Sequence, residues 1–279
     1  MQTIRVTFIG GGNMAGALIQ RLATLTLEND APAYACRVAD PSPEQRQHLA
    51  TLPGVTTFAD NNEAIEGADC VVLAVKPQIM RAVCTEAATA VAATTPLIVS
   101  VAAGIGCDQM SHWFDGYRRV VRVMPNTPAL LGVGATGLYG DRAVTEADRA
   151  LADALFSAVG VTAWVDQESL IDAVTAVSGS GPAYFFYLLE AMEDAGRAQG
   201  LPTAMAQTLA RQTALGAAHM ALAERDTLHA VRDRVTSPGG TTAAALDVLA
   251  SRDLPSIMRE AMDAANARAV ELAHEFGSD

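Results

Sequence analysis

Over the first 165 or so residues, short apolar runs alternate with amphipathic stretches. The runs Ile4–Ile9, Tyr34–Ala39, Cys70–Val75, Pro96–Val101 and Val120–Val123 are rich in β-branched residues and bounded by turn formers, which predicts strands. Between them lie helical patterns, such as Met14, Leu18, Leu22 and Leu25 at spacings of four, four and three. Ser42-Pro43-Glu44-Gln45 reads as an N-cap, a proline in the first helical position and a capping-box glutamine. Thr145-Glu146-Ala147-Asp148 has the same start grammar. Near-continuous apolar strands alternating with helices imply a parallel sheet covered on both faces. The expectation is a doubly wound α/β domain over residues 1–164.

Beyond Trp164 the strand signals vanish. Helical patterns follow at Gln167–Val177, Ala183–Gln199, Thr203–Ala223, Thr242–Ala250 and Leu254–Glu275, giving an all-helical domain over 165–279. The third helix carries Ala206, Ala210, Thr213, Ala217 and Ala221 on one face, small residues that allow close helix approach. A domain of this size with apolar residues around most of a helix is expected to complete its core by pairing with a second copy.

Composition narrows the function. The 279 residues carry 19 basic against 31 acidic side chains, a net charge of −12, and half are apolar, which excludes a largely disordered chain. Such an acidic balance argues against a nucleic-acid partner, since phosphates need a basic face. An anionic ligand must then be held by local donors. No apolar run reaches the length of a membrane span, and the amino terminus enters a strand pattern without a signal-peptide layout. Cys36, Cys70, Cys84 and Cys107 form no CxxC pair, and the five histidines lack metal-ligand spacing. Reduced thiols, a cytoplasmic location and no metal are expected. Lys76 is the only lysine among the 19 basic residues, which marks it for a task that suits a compact charge better than a planar guanidinium.

Ile9-Gly10-Gly11-Gly12-Asn13-Met14-Ala15 fits G-x-G-x-x-A directly after the first strand and at the opening of the first helix. Gly10 permits a tight turn, Gly12 lets backbone approach a pyrophosphate, and the helix amino end offers N–H groups to it. Asp40 ends the second strand, where a carboxylate can accept from ribose hydroxyls, and Arg37 and Arg46 lie close by. Ala74-Val75-Lys76-Pro77, Val101-Ala102-Ala103-Gly104 and Met124-Pro125-Asn126-Thr127-Pro128 leave three further strands at their carboxyl ends, the ligand side of open α/β sheets. In the helical half, Ser178-Gly179-Ser180-Gly181-Pro182 and Ser237-Pro238-Gly239-Gly240-Thr241-Thr242 open helices. Each is either a tight helix–helix turn or a nest of N–H groups for a small carboxylate.

The segments GGGNMA, AVKPQ, SVAAGI, RVMPNTPALLGVGATGLY, IDAVTAVSGSGPAYFFYLLEAM and VTSPGGTT together resemble pyrroline-5-carboxylate reductases, from Ile4 to Leu272. The resemblance implies a Rossmann-like doubly wound parallel sheet followed by an all-helical dimerisation domain, in dimers that often assemble into decamers. It also implies reduction of 1-pyrroline-5-carboxylate to L-proline by NADPH or NADH. Carried over by position, Ile9, Gly10, Gly11, Gly12, Asn13, Met14, Asn61, Ala74, Val75, Lys76, Pro77, Ala102 and Ala103 would hold the coenzyme, with Asp40 beside it. Ser237, Gly239, Gly240, Thr241 and Thr242 would receive the substrate carboxylate.

Reducing a C=N bond takes a hydride on carbon and a proton on nitrogen. No histidine or lysine stands in the helical motifs, so Thr242, or a water it holds, is the candidate proton partner. Two alternatives remain at this stage. One is a hydroxy-acid or other imine reductase on the same plan; a β-hydroxyacid dehydrogenase places a catalytic lysine in its second domain, and this chain has none after Lys76. The other is a non-catalytic nicotinamide-binding regulator, which has little use for both glycine-rich helical motifs.

Overall fold

The computed structural model describes residues 3–27, 31–223 and 225–277. The chain forms two compact units, Met1–Ser180 with Ala265–Asp279, and Gly181–Ala264.

The first unit is built on an eight-stranded sheet. Its strands are β1 (Ile4–Ile9), β2 (Tyr34–Ala39), β3 (Val55–Phe58), β4 (Cys70–Leu73), β5 (Leu97–Ser100), β6 (Val120–Met124), β7 (Gly134–Gly140) and β8 (Gly160–Trp164), in the order β3-β2-β1-β4-β5-β6-β7-β8. The first six are mutually parallel. β7 runs antiparallel to β6, and β8 parallel to β7, so the doubly wound parallel sheet carries one antiparallel step towards its far edge. The antiparallel return follows from the short connection: the single helical turn Thr127–Leu131 is too brief for a crossover. The chain order reverses between β1 and β4, so the crevice of a doubly wound sheet lies at their carboxyl ends.

Strand alternation explains the core. Val6, Phe8, Cys36, Val38, Val72, Val99 and Val121 point to one face, where they meet Leu18, Ile19 and Leu22 of α1 (Asn13–Leu22) and Leu155 and Phe156 of α6 (Glu146–Ser157). Ile9, Ala39, Val71, Leu73, Ile98 and Val120 point to the other. There they meet α3 (Asn61–Ile65), α4 (Pro77–Thr94) and α5 (Cys107–Trp113). Thr7, wholly buried, donates its hydroxyl to the Ala64 carbonyl at 2.7 Å, which removes the penalty of a buried polar group. Thr145 caps α6 in a capping box with Asp148, as its sequence predicts. Ser42 caps α2 (Pro43–Leu49) by accepting from the Gln45 N–H at 3.2 Å. The Gln45 side chain does not close the box; it donates to the Gly11 carbonyl instead.

After α7 (Leu170–Val174) the backbone widens into a π-turn, Thr175–Gly179, closed by the Ser180 N–H on the Thr175 carbonyl at 2.8 Å, and α8 (Gly181–Ala198) follows. The SGSG motif is therefore neither a helix–helix turn nor an open nest. It is a widened segment of a nearly continuous helical run.

The second unit holds α8, α9 (Thr203–Ala223), α10 (Leu228–Arg234), α11 (Thr241–Ser251) and the start of α12 (Leu254–Gly277). The short α10 has no counterpart among the sequence-predicted helices. α8 and α9 pack as a hairpin, with Gly196 against Ala206. Of the small-residue stripe on α9, Ala206 and Ala210 are buried in the single chain. Phe185, Phe186, Tyr187, Leu188, Leu209 and Leu222 are more than half exposed.

Candidate active site

The sheet edge gathers the predicted coenzyme residues of the first unit. Ile9 lies in register with Ala39 on one side and Leu73 on the other, so the loops after β1, β2 and β4 leave at one level. The Gly10 N–H donates to Ala39 and the Ala74 N–H to Ile9, both at 2.8 Å. Gly10 has φ +94°, and a Cβ there would come within 2.8 Å of the Ala74 carbonyl oxygen, so this turn admits only glycine. Gly12 is different. A Cβ there would meet nothing within 4 Å, and it begins α1 with no side-chain cap. The amides of Asn13 and Met14 thus open α1 beside clear space, which is what a pyrophosphate needs.

Asp40 braces this loop. One carboxylate oxygen accepts from the Gly11 N–H and the other from the Ser42 N–H, both at 2.8 Å. With Gln45 on the Gly11 carbonyl, the glycine turn is fixed from both sides by the loop after β2. Arg46 donates to the Asp40 and Pro41 carbonyls, and Arg37 donates to the Glu63 and Glu66 carbonyls while lying over the Phe58 ring. Both arginines hold backbone at the β2–β3 side of the edge, and Arg37 stands in β2 itself. Asn61 opens α3 just past β3, whose last carbonyl accepts from the Asp40 N–H.

Lys76 is exposed at the N-cap of α4, with Ala74 and Val75 half-buried before it and Pro77 in the first helical position. Among the described residues it has no ion-pair partner. Its ammonium is therefore available to a phosphate or ribose at the crevice mouth. Ala102 is buried and Ala103 half-buried in the loop after β5, whose Val101 N–H donates to Leu73.

The structure adds a group that sequence reasoning missed. Arg122, in the otherwise apolar β6, is buried and donates to Glu168 at 2.8 Å; the same carboxylate oxygen accepts the Cys107 N–H at 2.7 Å. The signal was present: a charge inside a central strand must find a partner. Burial raises the nearby Asp172 carboxyl above its ordinary range; Arg122 opposes that shift and Glu168 adds to it. Asn126, buried after β6, donates to the Ser178 carbonyl at 3.0 Å and accepts from the Ala135 N–H at 2.9 Å. It thereby satisfies a carbonyl at the π-turn.

In the second unit, the loop Ser237–Thr242 turns through Gly239 at φ +69°, and the Gly240 N–H donates to Ser237 at 3.0 Å. Gly240 caps α11 without a side-chain bond. Thr241, Thr242 and Ala243 therefore head the helix with N–H groups that have no partner along it. Ser237, Gly239, Thr241 and Thr242 are exposed. Such a turn offers oriented amides and two hydroxyls to a carboxylate.

Comparison with known proteins decides which chemistry these parts belong to. A family model described as NADP oxidoreductase, coenzyme F420-dependent, matches residues 5–104, and one for pyrroline-5-carboxylate reductase dimerisation matches 168–272. The pyrroline-5-carboxylate reductase of Pseudomonas aeruginosa is 48% identical over 277 residues, covering 99% of this chain and all of that one. The chain belongs to the pyrroline-5-carboxylate reductase family. The solved pyrroline-5-carboxylate reductase of Coxiella burnetii superposes with a TM-score of 0.91 at 39% identity, over 98% of this chain and 99% of that one. That of Plasmodium falciparum, with NADP bound, gives 0.82 at 26% identity over the same shares. The fold is thus that of the reductase family, a Rossmann-like sheet with a helical dimerisation domain. The dimerisation match covers the helices whose apolar side chains stand exposed in the single chain, and a homo-oligomer follows.

Proposed function

We propose that this chain catalyses reduction of 1-pyrroline-5-carboxylate to L-proline, the last step of proline biosynthesis, with NADPH or NADH as the reductant. The observation that carries the reading is the 48% identity to a pyrroline-5-carboxylate reductase across 99% of the chain. The functional division falls at 164/165, with the coenzyme domain before it and the substrate and dimerisation domain after it. The working unit is a dimer, of twice the 29.1 kDa chain mass, and dimers assembling further into a decamer is the family's usual extension. No helix among the described residues is long and apolar enough to cross a membrane, and the buried, unpaired Cys36, Cys70, Cys84 and Cys107 suit a reducing cytoplasm.

Bound at the sheet edge, the reduced nicotinamide supplies the hydride. Gly10 and Gly12 let the backbone approach the pyrophosphate, and the amides of Asn13 and Met14 hold it. Asp40 fixes the glycine turn through Gly11 and keeps lone pairs for a ribose hydroxyl. Asn61 and Lys76 reach the adenosine and phosphate portions, Val75 and Pro77 shape the wall, and the small Ala102 and Ala103 admit a flat ring against backbone. The amides of Gly240, Thr241 and Thr242, with the Ser237 hydroxyl, bind the substrate carboxylate. A cyclic imine is basic enough to arrive partly protonated, so the chain's main tasks are to hold it in place and to manage one proton. The Thr242 hydroxyl, or a water on it, holds that proton at the ring nitrogen.

The test is oxidation of NADPH or NADH followed spectrophotometrically with and without pyrroline-5-carboxylate. Substrate-dependent oxidation is expected; silence in the presence of bound coenzyme leaves a binding protein without catalysis. Within the active enzyme, Thr242→Ala is expected to lower kcat about a hundredfold and Thr242→Ser to restore most of it. Unchanged turnover of Thr242→Ala at saturating substrate removes the threonine from the proton path.

A further inference from the structure

We infer that the last turns of α12 act as a strap on the loop after β5, with Gln109 and Phe276 as positioning residues for the nicotinamide end of the coenzyme; the inference rests on the function proposed above. The carboxyl-terminal part of α12, from Ala265 on, belongs to the sheet unit. It lies flush on the loop. Gly104 has φ +75°, and a Cβ there would come within 3.1 Å of the Phe276 ring, 3.3 Å of the Leu272 carbonyl carbon and 3.4 Å of the Ala273 nitrogen. Two of those three atoms are helix backbone, so the absence of a side chain at Gly104 is what lets the helix approach the loop this closely.

Gln109 ties the same two pieces by hydrogen bonds. Its carbonyl oxygen accepts the Gly106 N–H at 2.7 Å, and its amide nitrogen donates to the Ala273 carbonyl at 3.3 Å. Phe276 packs against the apolar cluster that contains Ala102, Ile105, Met110 and Trp113. Glu168 also accepts the Cys107 N–H while paired to Arg122. The segment from Gly104 to Cys107 is therefore anchored, by the strap at Gly104 and Gly106 and by Glu168 at Cys107. Ala102 and Ala103, the two residues proposed to face the nicotinamide, stand between the end of β5 and that anchored segment. Loosening the strap frees these two positions and leaves the glycine turn, 90 residues earlier in the chain, with its own braces.

The strap makes a specific demand: coenzyme affinity depends on residues that do not touch it, and substrate affinity does not. The experiment titrates the full-length wild type, Phe276→Ala, Phe276→Leu, Gln109→Ala and the Gln109→Ala/Phe276→Ala double variant with NADPH and NADH. Binding is read by the intrinsic fluorescence of Trp113 and Trp164, alongside KM for pyrroline-5-carboxylate at saturating coenzyme and the oligomer mass. Each alanine variant is expected to raise the coenzyme Kd about fivefold, with the double variant well short of the product of the two. Phe276→Leu should recover most of the affinity, and the substrate KM and mass should stay at wild-type values. Coenzyme Kd values equal to wild type in both alanine variants overturn the strap. So does a loss that falls equally on coenzyme and substrate, the mark of a merely structural role. A wild type that binds neither coenzyme overturns the proposed function together with the strap, whereas binding by wild type with indifferent variants overturns the strap alone.

Discussion

The two units of this chain reach stability by different routes. In the sheet unit, alternate residues of the strands are buried on both faces, and the largest core side chains, Phe8, Phe156 and Ile9, are at most 1% exposed. In the helical unit, Phe186 is 65% exposed, Tyr187 76% and Leu222 84%, while α10 and α11 bury no residue at all in the single chain. A soluble monomer rarely leaves such contiguous apolar surface open. The lesson is that the first fold is a property of one chain and the second a property of an assembly. Each unit then offers one kind of candidate ligand site: a braced crevice at the sheet edge, and an exposed helix start at Ser237–Thr242.

The strongest way to break this contrast is a charge on the open helical face. Phe186→Asp is expected to abolish the homo-oligomer and lower activity by more than about a thousandfold, since a desolvated carboxylate at such an interface has no partner. Light scattering reads the mass. The matching charge on the sheet unit, at exposed Ile79, should leave the mass unchanged. A dimer that survives Phe186→Asp would move the interface elsewhere.

A smaller effect, confined to the sheet unit, comes from Asp148. Its carboxylate is buried and accepts from both Nε and Nη2 of Arg119, Nε being shared between its two oxygens, while Thr145 adds its N–H and hydroxyl. Burial, the largest single influence, pushes this carboxyl up, but the bonds from Arg119 and Thr145 together leave it below its ordinary value. A depressed carboxyl contributes stability that is present above the ordinary carboxylate pKa and is lost as pH falls through the folded value. Asp148→Asn should therefore destabilise by about 3 kcal/mol at neutral pH, and the gap to wild type should close as the pH drops below about 4. Thermal unfolding at stepped pH checks this; a gap that widens in acid contradicts it. The oligomer mass is expected to hold.

The gentlest probe is Lys76→Arg. The single lysine of the chain is exposed at the N-cap of α4, and a broader guanidinium there should weaken coenzyme binding about threefold with the fold intact. An unchanged coenzyme Kd would reduce Lys76 to a solvated residue.

The sheet unit was legible where burial alone shapes the sequence. β1, β2, β4, β5 and β6 are apolar along nearly their whole length, and the glycine turn stands between a strand and a helix as its chemistry requires. The remaining strands escape that logic. β3, Val55-Thr56-Thr57-Phe58, is a half-exposed edge strand with polar centre, and β7 reads as a loop because it carries Gly134, Gly137 and Gly140. Those glycines answer tertiary neighbours: a Cβ on Gly137 would come within 2.5 Å of Val174. The π-turn is equally invisible, since it depends on Asn126 reaching Ser178 and on Gly179 making room for Met124. At the site, the glycines announced themselves, whereas the bracing role of Asp40 and the Arg122–Glu168–Cys107 tie depend on the spatial order of the strands, which no local spacing encodes. In the helical unit the long helices were legible and their packing was not, because the partner for their apolar faces is outside the chain.

The central claim is that peptide amides of an exposed helix start bind the acid group of the substrate. A crystal structure of the oligomer with coenzyme and L-proline tests it most directly. The account predicts the proline carboxylate on the N–H groups of Gly240, Thr241 and Thr242, with the ring nitrogen within hydrogen-bond reach of the Thr242 hydroxyl. A proline carboxylate held by other residues, with the 237–242 turn empty, would contradict it.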